Sequence, residues 1–194
     1  MFEVVLCKEQ LPLPYHHMTY DSNGRMTVKP QVLCDIITHQ YNDRVKPNIG
    51  LFIDLYDIVK ATECKSIPDI NVAYVTVFFR YIVFNPPIGS VWEGSISNSN
   101  EEGIEISFSF FKDIFVPFQN LPDGSEFDSE QELWVWYSQD DEQTPFLFEQ
   151  GECVRFRVCE VKYNQQNQPL MKVIGSMDSK TSGLGPKSWW INQE

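Results

Sequence analysis

The apolar and polar positions change period along the chain, and each change predicts an element. Residues 2–7 (Phe-Glu-Val-Val-Leu-Cys) predict a first strand. Leu11-Pro12-Leu13-Pro14 then predicts extended, turn-like backbone, because proline lacks an N–H and disfavours helix before it. Asp21-Ser22-Asn23-Gly24 predicts a loop. From Val28 to Tyr41 the apolar residues Val28, Val32, Leu33, Ile36, Ile37 and Tyr41 recur at helical spacing, with Pro30 in the first turn. This stretch predicts the main helix, and its stripe is core. The period then falls to two. Leu51, Ile53 and Leu55 alternate with Phe52, Asp54 and Tyr56, and Ala73 to Phe84 is rich in β-branched and aromatic residues. Cys64 to Asn71, with Pro68, reads as an exposed loop tip between these strands.

Asn85-Pro86-Pro87 marks a boundary. Beyond it the chain predicts short strands over 88–97, 103–111, 113–117, 132–138, 144–149, 151–162 and 169–177, with a turn at Asn98–Glu102. Gly89 and Gly94 in the first of these fit the tight coiling of a five-stranded oligonucleotide-binding (OB) barrel. The expectation is an α+β domain over 1–84, one main helix on a small antiparallel sheet. An all-β OB barrel with an inserted β-hairpin follows over 85–194, the insertion lying at about 120–150. Trp134 and Trp136 fall on one strand face and are expected to pack together. Gly183, Gly185 and Pro186 make a turn that returns Trp189 and Trp190 to the barrel, because two adjacent indoles in water are costly.

Charge alters this picture in the second half only. Residues 1–84 carry 8 basic and 9 acidic side chains, residues 85–194 carry 7 and 18. No Lys or Arg occurs from Asp113 to Val154, where Asp123, Glu126, Asp128, Glu130, Glu132, Asp140, Asp141, Glu142, Glu149 and Glu152 fall. A formal charge of −12 argues against binding nucleic acid by bulk electrostatic attraction. The acidic window is either a solvated face or a docking surface for a basic partner. Cys7, Cys34, Cys64, Cys153 and Cys159 are odd in number and contain no C-x-x-C, which fits neither a disulfide framework nor a zinc site. No secretory signal and no membrane-spanning run is visible, so a reducing, intracellular setting is expected.

Catalytic chemistry is hard to place. His16, His17 and His39 lack ligand spacing, and there is no Walker, dinucleotide or nucleophile-elbow motif. No catalytic residue, metal ligand or cofactor site is expected. One constellation stands out. In Gly151-Glu152-Cys153-Val154-Arg155-Phe156-Arg157-Val158-Cys159, alternation puts Val154, Phe156 and Val158 on one face and Arg155 and Arg157 on the other. On an OB barrel these arginines either meet phosphates while Phe111 or Phe115 stacks a base, or pair with the acidic insertion.

Three segments carry a family resemblance. Val45-Lys46-Pro47-Asn48-Ile49-Gly50-Leu51-Phe52-Ile53-Asp54-Leu55-Tyr56-Asp57-Ile58, the junction Val77–Pro86 and Trp92-Glu93-Gly94-Ser95-Ile96 resemble the larger stalk subunits of archaeal and eukaryotic RNA polymerases. Ser107–Pro117, Phe127–Trp136 and the ending Gly183-Leu184-Gly185-Pro186-Lys187-Ser188-Trp189-Trp190 are similar to the RNA polymerase III version. The resemblance implies a non-catalytic nuclear subunit that pairs with a smaller helical stalk subunit and aids initiation. It implies that the first domain docks on the polymerase core, with Leu11, Pro12, Ile67, Pro68, Asp69, Ile70 and Asn71 as candidate contacts. The barrel would meet single-stranded transcript through Phe111, Lys112, Phe115, Arg155 and Arg157. The tip loop Ile67-Pro68-Asp69-Ile70-Asn71 lacks the family's glycines, so the docking contact differs there. Lys112 stands where the family often has an acid, which favours RNA contact. Alternatives are a stalk-like subunit of another polymerase and a free acidic protein-interaction module.

Overall fold

The computed structural model describes residues 1–66, 72–138, 141–164, 169–178 and 183–190. The chain divides into two compact units, Met1–Asn85 and Pro86–Glu194.

The first unit is an antiparallel sheet with one helix on one face. Strands β1 (Phe2–Pro14), β2 (Met18–Tyr20) and β3 (Met26–Val28) precede helix α1 (Pro30–Tyr41). Then come β4 (Val45–Lys46), β5 (Gly50–Ala61), β6 (Lys65–Ser66) and β7 (Val72–Phe84). The sheet order is β1-β7-β5-β4, with β6 also on β7, and β2 pairs β3. The helix begins at Pro30 rather than Val28, since Val28 is spent pairing with Met18. Leu33, Ile37 and Tyr41 are buried four residues apart, so one line of α1 enters the core. They meet Leu11, Leu13, Phe52, Val75, Val77, Phe79, Tyr81 and Val83.

β1 differs from expectation. It does not stop near Cys7 but pairs with β7 along its whole length, from Phe2↔Phe84 to Pro14↔Val72. The prolines permit this because β1 is an edge strand, where missing donors can face solvent. Pro12 and Pro14 are exposed, while Leu11 and Leu13 are buried between them. β5 also departs from plain alternation. Register shifts at Phe52/Asp54, Leu55/Asp57 and Ile58/Lys60 turn Phe52, Leu55 and Ile58 toward the core.

A polar network lines one end of this core. Tyr81, with no exposed surface, donates its hydroxyl hydrogen to Asn42 Oδ1, and Tyr41 donates to Glu9 Oε2 at 2.5 Å. Lys46 Nζ lies 4.2 Å from the centre of the Tyr41 ring. Burial pushes the Tyr81 phenol up to about 12, and Asp54 and Asp43 add to the shift. The unfolded phenol ionises near 10, so its contribution to stability is complete below pH 10 and is lost as pH rises toward 12. Denaturant unfolding followed by circular dichroism should show a lower midpoint at pH 11 than at pH 9. Tyr81→Phe should reduce that difference, and an unchanged pH dependence in the variant would refute the assignment.

The second unit is built on a closed barrel. Its strands are β8 (Val91–Asn100), β9 (Gly103–Phe108) and β10 (Phe111–Pro117). After an insertion come β14 (Cys153–Tyr163), β15 (Met171–Ser176) and β16 (Gly185–Pro186). The pairing runs β15-β10-β9-β8-β14, and β14 closes on β15. β10 and β15 are parallel, and the other barrel pairs are antiparallel. This is the five-stranded Greek-key closure of an OB-fold. Trp92, Ile96, Ile104, Ile106, Ile114, Val116, Val154, Phe156, Val158, Met171 and Val173 fill it.

The insertion is a three-stranded sheet rather than a hairpin. Strands β11 (Ser125–Asp128), β12 (Leu133–Ser138) and β13 (Asp141–Phe148) lie in that order. β11 escaped the pattern because Ser-Glu-Phe-Asp holds a single apolar residue. Trp134 and Trp136 do not simply pair with each other. Trp134 packs on Phe127 and Trp136 on Phe146, because each indole meets its directly opposite residue on a flanking strand.

Candidate nucleic-acid interface

β14 follows its alternation closely. Val154, Phe156 and Val158 are fully buried, and Arg155 and Arg157 point outward. Among the described residues, however, Arg155 does not pair with the acidic insertion. Its Nε donates to Glu93 Oε1 at 2.9 Å, because Glu93 stands directly opposite on β8. Lys187 Nζ donates to the other Glu93 oxygen at 2.6 Å. These two cations, Lys187 first, hold the Glu93 carboxyl below the usual carboxylate range.

The same neighbourhood anchors the C-terminal segment. β16 pairs Gly185 with Arg155 and Pro186 with Val154, and the Ser188 hydroxyl donates to Glu152. Trp189 stacks on Trp136 at 5.3 Å and meets Phe146 and Phe148 edge-on while lying over Gly185 of β16, so it bridges the inserted sheet and the barrel. Arg155 is therefore committed to a clasp. Arg157 is half-buried, and its Nε has no hydrogen-bond partner among the described residues.

The aromatic candidates separate. Phe111 is only 5% exposed and belongs to the core, so it offers no platform for a base. Phe115 lies on the outer face of β10, beside Ile174 of β15 and opposite Glu105 of β9. Lys172 Nζ sits 4.2 Å from the Phe115 ring centre. Lys162 stands directly opposite Lys172 on β14 and shares an ion pair with Glu160 at 3.4 Å. Lys112 is exposed at the start of β10.

An outer-face ring flanked by cations suits an extended single strand. An exposed cation–π contact contributes about 0.5–1 kcal/mol. A base stacked on an aromatic ring contributes about 1–3 kcal/mol. Exchanging the ammonium for a base is thus favourable, and more so once the ammonium meets a phosphate. Asp113 limits the positive potential here, although burial raises its carboxyl pKa, partly offset by Lys172 and reinforced by Glu105.

In the first unit, Pro12 is exposed but Leu11 is 1% exposed, so the Leu11 side chain has no surface to offer a partner. Ile67, Pro68, Asp69, Ile70 and Asn71 lie outside the described residues. The sheet face away from α1 is the open one. Val4, Leu6 and Tyr56 are exposed there, alongside Ile82, Phe78 and Arg80 on β7. Arg80 Nε donates to Asp57 Oδ1 at 2.8 Å, and its guanidinium lies 4.9 Å from the Tyr56 ring centre. Among the described residues no cluster of His, Cys, Asp and Glu could hold a metal ion, and no helix is long and apolar enough to cross a membrane.

The sequence is similar to those of known proteins. The family described as RNA polymerase III subunit Rpc25 matches residues 90–171. The DNA-directed RNA polymerase III subunit RPC8 of Bos taurus is 31% identical, covering 77% of this chain and 82% of its own length. The chain belongs to the RNA polymerase III subunit RPC8 family. RPC8 of Saccharomyces cerevisiae is 30% identical over 79% of this chain and 88% of its own. The DNA-directed RNA polymerase subunit Rpo7 of Sulfolobus acidocaldarius is 22% identical over 100% of this chain and 97% of its own.

Within this RPC8-family barrel, sequence reasoning missed Lys162 and Lys172. For Lys172 the signal was present, since alternation in 169–177 sets it on the face opposite Met171 and Val173. For Lys162 it was not, because alternation from Val154, Phe156 and Val158 puts it on the inward face, and only the register shift between Val158 and Glu160 turns it outward. Their neighbourhood was not readable, because β10 and β15 meet only through the parallel closure of the barrel.

Proposed function

We propose that this chain is a non-catalytic stalk subunit of RNA polymerase III, acting in the nucleus during transcription initiation. The observation that carries this is the 30–31% identity to RPC8 proteins over about four fifths of the chain, spanning both units. A smaller helical stalk subunit is the expected partner of the open sheet face in the first unit. Val4 and Leu6 supply apolar contact, while Arg80 and Asp57 satisfy each other and so permit burial. The first unit would dock on the polymerase core, with Pro12 and the Ile67–Asn71 segment as contacts. The barrel would add modest, sequence-tolerant affinity for single-stranded transcript through Phe115, Lys112, Lys162 and Lys172.

The test is co-expression with the smaller stalk subunit, followed by size-exclusion chromatography with light scattering. A one-to-one heterodimer is expected, and Leu6→Glu should dissociate it without lowering the thermal midpoint of the chain. A chain that stays monomeric beside the smaller subunit would refute the stalk assignment.

A further inference from the structure

The outer face around Phe115 holds acceptors as well as a ring and cations. Glu105 is directly opposite Phe115, so the two side chains share one side of the sheet. Asp113 lies two residues before Phe115 and interacts electrostatically with both Glu105 and Lys172. An ionised carboxylate only accepts hydrogen bonds and repels phosphate. Beside a single strand, such groups are useful only toward donors, and the donors of RNA bases lie on their edges. Cytosine, adenine and guanine carry an amino group there, whereas uracil carries a carbonyl in the place of cytosine's amine and offers only an N3–H flanked by two carbonyls, whose lone pairs repel a carboxylate.

We propose that this face selects the base it stacks. Phe115 takes a base on its ring, Lys172 moves from the ring to the adjoining phosphate, and Glu105 and Asp113 accept hydrogen bonds from the amino group of the base. Amino-bearing bases, with cytosine as the probe, are then preferred over uracil. The inference rests on the RNA contact proposed above and adds its specificity. Lys162, opposite Lys172, supplies a second phosphate contact that both bases use equally.

The experiment measures polarisation of labelled oligocytidine and oligouridine, each of about twelve nucleotides, against the complex of the full chain with its smaller partner. Oligocytidine should bind about tenfold more tightly at low salt, the discrimination of one good carboxylate–amine pair. The double variant Glu105→Gln, Asp113→Asn should shrink this to within about twofold, since an amide both donates and accepts. Phe115→Ala should weaken both oligonucleotides alike. Thermal midpoints equal to the parent would show that the variants are folded. Equal binding of the two oligonucleotides by the parent, or a preference that survives in the double variant, would overturn base selection while leaving RNA contact standing. Failure to bind either oligonucleotide at low salt would overturn the RNA contact as well.

Discussion

Gly103→Ala is expected to destabilise the second unit by about 3 kcal/mol or more, among the largest effects of any single methyl group in this chain. Gly103 opens β9 at φ +151°, a conformation that L side chains rarely adopt. It is also wedged between two strands, paired with Asn100 of β8 and Pro117 of β10. A methyl group there would lie 2.8 Å from Pro117 Cα and 3.0 Å from Phe115 Cζ, and would run into the Val116 carbonyl. The β10 backbone it would meet cannot move aside without opening the barrel. All five tryptophans fall after residue 85, so indole fluorescence during urea unfolding reports this unit selectively. An unfolding free energy within about 0.5 kcal/mol of the parent would show that the barrel accommodates the methyl group.

Phe156→Ala should cost a similar amount, about 3–5 kcal/mol, for the opposite reason. Its ring is fully buried and lies against two glycines. A β-carbon on Gly175 would come within 3.0 Å of the ring and one on Gly94 within 3.6 Å. Close strand approach at these glycines makes a slot that only a flat, large side chain fills. Truncation leaves a cavity that the closed barrel cannot collapse. Phe156→Leu, which retains most of the volume, should recover more than half of the loss in the same assay. Equal losses for Ala and Leu would mean that the aromatic shape, not the volume, is what the slot requires.

Legibility varied with how local each signal was. The helix stripe Leu33, Ile37, Tyr41 could be read directly, because helical spacing is a property of neighbouring residues. So could the inward set Val154, Phe156, Val158. β1 was misjudged beyond Cys7 because Pro12 and Pro14 suppress strand propensity everywhere except at a sheet edge, and edge position is not written locally. β11 was missed because its stability comes from Trp134 and Trp136 opposite it, not from its own residues. The candidate site divided in the same way. Arg155 falls on its expected strand yet is clasped by Glu93, whereas Phe111, expected to end the strand over 103–111, instead opens β10 and is packed inside.

By itself the sequence determined the helix, the outward and inward faces of most strands, the acidic bias of the second half and the family resemblance. Each of these depends on residue order over a few positions or on identity at single positions. Only the tertiary structure decided which polar side chains meet. It brought Lys187 to Glu93, Trp189 to Trp136, and Lys172 to Phe115, pairs separated by 50 or more positions in the chain. Their proximity follows from barrel closure, in which the fifth strand must lie parallel to the third to satisfy its backbone hydrogen bonds, and no local period encodes that choice.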